Sequence, residues 1–367
     1  MKRSARFMEP GSNAWKDMEN MINLKKEFTK EMRDFWRQCR FRRGEKNFRH
    51  LVLDGYHNPD FLELCRYGEE YQGKIIYQIN AYGRSVGFFA EFLFTLIRLF
   101  FASERGFVPY VNWGEEFLYY EAKGVDHVYN GFLYYFEPVS EVTNIQKAAY
   151  VLHANDDHIH DVQNQLNTHG YAATAEYMDA LSNMVKKYIR YNEKTLAYLE
   201  KGYDGLIGDK KALAVHFRGT DYRRQYNNHP VFVTLEEQIE TVHELMGKKG
   251  YEVVFLATDE QEAVETFRKE FGAALRVFED TWRASGEDES VAYSHSNRKE
   301  HHYLLGLEVV RDQYMLTRCA GLVGGISNLT LSARMMRKAW YEKGYEDLVI
   351  IDHDLCRNQH NFCDASH

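Results

Sequence analysis

The run Leu213-Ala-Val-His-Phe-Arg-Gly-Thr-Asp-Tyr222 carries an apolar stretch straight into a turn holding His216, Arg218, Gly219, Thr220 and Asp221. A cation, a hydroxyl and a carboxylate thus stand together where the pattern predicts the C-terminal end of a strand. Open α/β sheets take their ligands at that edge. A guanidinium held on a turn suits phosphate, which it can grip with two parallel N–H donors. Two further clusters share the pattern: Ala257-Thr258-Asp259 closes an apolar run, and Gly324-Gly325-Ile326-Ser327-Asn328 stands between a strand and a helix. In the latter, glycine allows close backbone approach, and a helix N-terminus offers N–H groups to an anion. Each cluster alone could be a helix cap, Asp259 for a helix at 261–271 and Ser327 or Asn328 for the next. Three on one sheet edge converge on a ligand, and the chemistry points to a nucleotide or phosphorylated compound.

The surrounding elements give these turns their places. From residue 211 strands and helices alternate: strand 211–217, helix 234–247 opened by a Thr234/Glu237 capping box, strand 251–257, and helix 261–271. A short strand at 275–278, a polar acidic loop at 279–298, a helix near 300–318, strand 321–324, helix 328–343 and strand 348–352 follow. This is a doubly wound α/β domain. Earlier in the chain, Lys74–Asn80, the turn 81–87, an apolar helix and Phe107–Trp113 form a βαβ unit, which implies a parallel sheet. The apolar helix, residues 86–103, nears membrane-spanning length, but Glu91 and Arg98 interrupt it. Glu91, Thr95, Arg98 and Arg105 form one polar stripe, as in a helix buried between a sheet and a cleft.

Residues 155–205 read as helical, and Gly202, Gly205 and Gly208 as a hinge or linker. The expected organisation is an N-terminal α/β domain over 1–205 with a helical arm at 14–43, a second domain over 206–345, and a strand and tail over 346–367. The arm is read either as packed on its own domain or as a homodimerisation helix. A length of 367 residues suits two domains, and a 44% apolar content suits substantial cores. A net charge of −8 argues against a nucleic-acid backbone as partner. Five scattered cysteines without paired spacing fit free thiols in a reducing, cytoplasmic setting, and no signal peptide is read at the N-terminus.

His216-Phe-Arg-Gly-Thr-Asp221, Phe255-Leu-Ala-Thr-Asp259, Glu308 through Asp312, and Gly325-Ile-Ser-Asn328 resemble the successive donor-site motifs of one superfamily. It comprises the α1,6-fucosyltransferases of nodulation and N-glycan cores, the protein O-fucosyltransferases and their bacterial relatives. The turn 82–87 occupies the place of that superfamily's N-terminal glycine-containing loop. The resemblance implies a GT-B-like fold, two Rossmann-type domains facing a cleft. It also implies an inverting glycosyltransferase that uses a GDP-sugar, most often GDP-fucose, needs no metal or other cofactor, and acts on a glycan or related hydroxyl. Arg218 would then stabilise charge on the leaving diphosphate, and His216 would lie against the ribose or phosphates. Asp259 and Asp312 would serve the nucleotide pocket or orient Arg218, Ser327 with Asn328 would hold phosphate oxygens, and Thr220, Asp221, Thr258 and Gly325 would belong to the same donor site. The core-modifying members carry paired arginines where Gly219 follows Arg218 here, so Gly219 would let backbone approach phosphate instead.

An inverting transfer needs a base for the acceptor hydroxyl, and Glu91, Glu115, Glu116 and Asp126 are the candidates, with Glu91 preferred. Another nucleotide sugar, or a non-catalytic binding role on the same fold, is the alternative. Asp352-His-Asp354 matches a manganese-binding D-x-D pattern but follows the last strand, and the ligand-rich His153–Asp161 reads as a polar loop. His295, His301 and His302 read either as lining the donor loop or, in preference, as a solvated surface, and Tyr129–Phe136 as either sugar-stacking aromatics or a core strand.

Overall fold

The computed structural model describes residues 61–155, 157–166, 173–284 and 290–357; the arm at 14–43, and with it the dimer expectation, lies outside them. The chain divides into two compact units, one of residues 1–79, 98–110 and 140–162, the other of residues 80–97, 111–139 and 163–367.

The first sheet runs β1 (Leu62–Cys65), β4 (Val151–Ala154), β2 (Ile76–Asn80), β3 (Val108–Asn112) in spatial order. β2 and β4 are parallel, but β1 pairs antiparallel to β4, Leu62 opposite Ala154. This sheet is therefore mixed, with one antiparallel strand at its edge. Its edges carry the usual devices against further pairing, exposed Glu63 on β1 and Pro109 on β3. Ile76, Val142, Ala148 and Val151 form its core.

Helix α1 (Phe88–Arg105) links β2 to β3. Its polar stripe is buried rather than turned to a cleft: Glu91, Thr95 and Arg98 are 1%, 0% and 3% exposed. Thr95 accepts a 3.0 Å hydrogen bond from the Trp113 indole, so burial is matched by pairing. Among the described residues no helix is long and apolar enough to cross a membrane.

Helices α2 (Asp157–Gln165), α3 (Ala175–Tyr188) and α4 (Glu193–Leu206) follow. α4 corrects the expected hinge, because Gly202 and Gly205 lie inside it. Gly202 is a packing position, where a Cβ would stand 3.2 Å from the Phe278 ring.

The second sheet contains β5 (Ala212–Phe217), β6 (Val253–Thr258), β7 (Leu275–Arg276), β8 (Gly321–Gly325) and β9 (Asp347–Ile351). Its order is β7-β6-β5-β8-β9, all parallel. Every residue of β5 and β6 is buried, as helices on both faces require. Those helices are α5 (Leu235–Lys249), α6 (Gln261–Phe271), α7 (His301–Arg318) and α8 (Asn328–Trp340). The Thr234/Glu237 capping box opens α5, and Gly250 at φ 69° closes it. The strand order reverses between β5 and β8, which opens a crevice at their C-terminal ends.

Candidate active site

A cavity of about 430 Å³ occupies that crevice, bounded on the other side by Ser85–Ala90 at the start of α1. That volume suits a nucleotide-sized ligand. Of the anticipated residues, His216, Arg218, Thr258, Asp259, Asp312, Ser327 and Asn328 line it. Among the described lining residues Arg218 is the only arginine or lysine.

The turn after β5 is built around Asp259. Its Oδ2 lies 2.8 Å from Arg218 Nη1, and the same oxygen accepts from the Thr220 hydroxyl at 2.9 Å. Its Oδ1 accepts from the Gly219 N–H at 3.3 Å. The cap role is not realised: Glu260 is the N-cap of α6, without a side-chain hydrogen bond. One carboxylate thus fixes the guanidinium and the backbone that carries it. Thr220 sits at φ 33°, rare for a β-branched residue, and its hydroxyl bond to Asp259 helps hold it there. Asp221 continues the turn as part of the 3-10 helix Thr220–Arg224.

Packing demands a glycine at position 219. A Cβ there would stand 2.5 Å from Glu260 Oε2. Glu260 is 4% exposed and ion-paired with Arg223 at 3.0 Å, so it cannot step aside cheaply. The glycine makes room for the Glu260 carboxylate and its ion pair with Arg223. Gly325 is similar in kind, its Cβ position facing Val233 at 3.2 Å.

His216, 6% exposed, places Nδ1 2.9 Å from the Thr330 hydroxyl and 3.2 Å from the Ser327 hydroxyl. Burial, with Arg218 nearby, pushes its pKa down to about 3, so the imidazole is neutral. Ser327 also caps α8, accepting from Thr330 N–H at 3.1 Å. The cap and the cavity wall are the same residue, with Asn328 opening the helix beside it. The start of α8 and the start of α1 both border the cavity, and both bring positive dipole ends.

Helix α7 adds Glu308 and Asp312 to the wall. Burial pushes the Asp312 carboxyl up to about 7 against the pull of Arg311 and Arg283. Glu308 accepts from the Trp282 backbone N–H at 3.0 Å and pairs with Arg298 at 2.6 Å. Trp282, 36% exposed, lines the cavity with Arg298 over its ring and His301 edge-on at 5.0 Å. Trp282 and His229 are cavity residues that sequence patterning misses, since they stand in loops without periodicity, and Tyr222 joins them from the 3-10 helix Thr220–Arg224. His301 corrects the expectation of a solvated surface: it is 5% exposed, and burial lowers its pKa.

Glu91 is not among the described lining residues; its Oε2 accepts from the Tyr82 N–H at 2.6 Å and holds the loop before α1. Asp126 is ion-paired to Lys194. Residues 129–136 form a 3-10 helix, Gly131–Tyr134, not a strand. Phe132, Tyr135 and Phe136 are core residues, and Tyr129 alone of the run is strongly exposed. Among the described residues no group of three or more His, Cys, Asp or Glu could hold a metal ion.

A scan of the sequence against models of known protein families gives no match, and a search among curated proteins gives none. Solved structures do match. The α1,6-fucosyltransferase NodZ, in crystals soaked with GDP-fucose, is 16% identical over 72% of this chain and 92% of its own, with a TM-score of 0.44. POFUT1 in complex with GDP is 12% identical over 78% of this chain and 98% of its own, with a TM-score of 0.47. Fucosyltransferase NodZ from Bradyrhizobium is 16% identical over 71% of this chain and 92% of its own, with a TM-score of 0.37. The likeness is one of fold.

Proposed function

We propose that this protein is a glycosyltransferase that moves a sugar from a GDP-sugar, in the first place fucose from GDP-fucose, to a glycan hydroxyl with inversion and without a metal. The observation that carries the reading is Arg218, the one arginine or lysine among the described lining residues, clamped by Asp259 at the point where the strand order reverses. In the transfer, the acceptor oxygen bonds to the anomeric carbon from one face. The bond to the β-phosphate oxygen breaks on the other, and its electron pair leaves with GDP. The acceptor proton passes to a base. Charge grows on the departing diphosphate, and a pre-positioned guanidinium stabilises it without rearrangement. Ser327, Asn328 and the two helix starts supply further donors around the same anion. Asp312 and Trp282 suit the nucleobase: a carboxylate accepts from the paired N–H groups on the guanine edge, and an indole offers a stacking face.

The test is GDP release from GDP-fucose, with other nucleotide sugars beside it, across a panel of glycan acceptors. Wild-type protein should release GDP from GDP-fucose in the presence of EDTA. Arg218→Ala should lower turnover by about 10²–10³, the range for losing one charge-stabilising donor, while melting as the wild type does. Wild-type-like turnover in that variant would refute the role of Arg218. Tight GDP binding with no turnover on any acceptor would make the protein a binder.

A further inference from the structure

Thr330 is a buried hydroxyl one step behind the cavity wall. It stands in the first turn of α8, 1% exposed, and is not among the described residues that line the cavity. Its Oγ1 lies 2.9 Å from His216 Nδ1 and accepts from the Ser327 hydroxyl at 3.0 Å. Its backbone N–H donates to Ser327 Oγ at 3.1 Å, and that oxygen lies 3.2 Å from the same ring nitrogen. The neighbouring strands allow this closeness. His216 of β5 pairs with Gly324 of β8, and a Cβ on Gly324 would stand 3.3 Å from Thr330 Oγ1 and 3.4 Å from His216 Cβ. Gln238 of α5 donates to the His216 carbonyl at 3.1 Å, so backbone and ring are both held.

A neutral imidazole has one N–H and one lone pair, so the partner of Nδ1 decides what Nε2 presents. His216 is neutral and its ring lines the cavity, while Nε2 makes no hydrogen bond among the described residues. A proton on Nδ1 would leave Nε2 turning a lone pair on a site that Arg218 and the start of α8 arrange for an anion. A hydroxyl donating to Nδ1 removes that conflict, because the ring proton then sits on Nε2. Two hydroxyls reach it. Ser327 lines the cavity, so a proton it gives to the ring is lost to a ligand. Thr330 is outside the lining and makes the shorter contact.

We propose that Thr330 is a positioning residue for the diphosphate. Its hydroxyl donates to His216 Nδ1, which fixes the ring proton on Nε2 and leaves the Ser327 proton able to turn from Thr330 Oγ1 to a phosphate oxygen. Two neutral donors, the imidazole N–H and the serine O–H, then join Arg218 around one anion. No proton is transferred in this arrangement; Thr330 only decides where two of them point. The inference rests on the reading of the cavity as a nucleoside-diphosphate site.

The test uses the full chain, with GDP as the probe and thermal melting of every variant beside it. Thr330→Val keeps the γ-methyl and removes the hydroxyl, whereas Thr330→Ser keeps the hydroxyl and removes the methyl. Thr330→Val should weaken GDP binding about tenfold, the worth of one hydrogen bond to a charged group, and Thr330→Ser should bind as wild type does. A packing role alone predicts the reverse order, since the serine opens a void that the valine fills. Nitrogen NMR of imidazole-labelled protein reads the tautomer, with the His216 signal identified by its loss in His216→Gln. Wild type should carry the proton on Nε2, and that resonance should shift when GDP binds. Should Thr330→Val melt early, the spectra of wild type and Thr330→Ser still decide the tautomer. A wild-type proton on Nδ1, or GDP binding in Thr330→Val equal to wild type, would overturn the proposal and leave the nucleotide reading standing. Wild type that binds no GDP would overturn the nucleotide reading, and the positioning role with it.

Discussion

At the scale of single residues, the turn after β5 is a set of mutual constraints. Asp259 holds Arg218, Thr220 and the Gly219 N–H together, while Glu260 and Arg223 fill the space beside Gly219. Gly219→Ala would drive a methyl into a buried, paired carboxylate. It should cost about 1–3 kcal/mol of stability, the usual range for overpacking, measured as a lower denaturation midpoint. A variant as stable as wild type would show that Glu260 can move away, and the glycine would need another explanation. The sequence shows the glycine, but its partner Glu260 is forty-one positions downstream, brought alongside by parallel pairing of β5 with β6.

At the scale of elements, two helix caps differ in what they carry. Thr234 caps α5 outside the crevice, whereas Ser327 caps α8 at its wall and also touches His216. Both changes to alanine should cost about 1 kcal/mol in stability, as lost caps do. Only Ser327→Ala should also weaken GDP binding; equal GDP affinity in the two variants would separate Ser327 from the ligand. The Thr234/Glu237 pair was legible because a capping box is local, three residues apart in sequence. The antiparallel β1 and the helix across Gly202 were not legible, since strand direction is settled by a distant partner and Gly202 by the Phe278 ring.

At the scale of the whole molecule, two buried histidines contribute to the response to acid. His158, 0% exposed against the rings of Phe101 and Tyr77, and His216 in the other unit both have pKa values pushed down to about 3 by burial. Unfolded, each titrates at its ordinary value of 6.5. A depressed value means that the unfolded chain binds the proton first. This contribution to stability is therefore complete above pH 6.5 and is lost as pH falls towards 3. Asp312 works in the opposite direction. Its raised value favours the folded state at low pH, and that contribution disappears as pH rises from 3.8 through about 7. Melting temperature followed from pH 7 to 4 should fall less in His158→Gln than in wild type. Parallel curves would show that His158 does not carry the acid loss.

The sequence by itself determined the alternation of the C-terminal half and the three polar strand ends, Arg218 among them, because each is written in neighbouring residues. Period-two and period-3.6 patterns, a capping box and a cation placed after an apolar run need no distant information. Only the tertiary structure decided which groups meet. Between the two expectations for Asp259 it chose the pairing with Arg218 over the cap of α6; it set Gly219 against Glu260 and brought Trp282 to the cavity from an unpatterned loop. Contacts of that kind depend on strand order and packing, which parallel pairing fixes across long separations and local periodicity does not record.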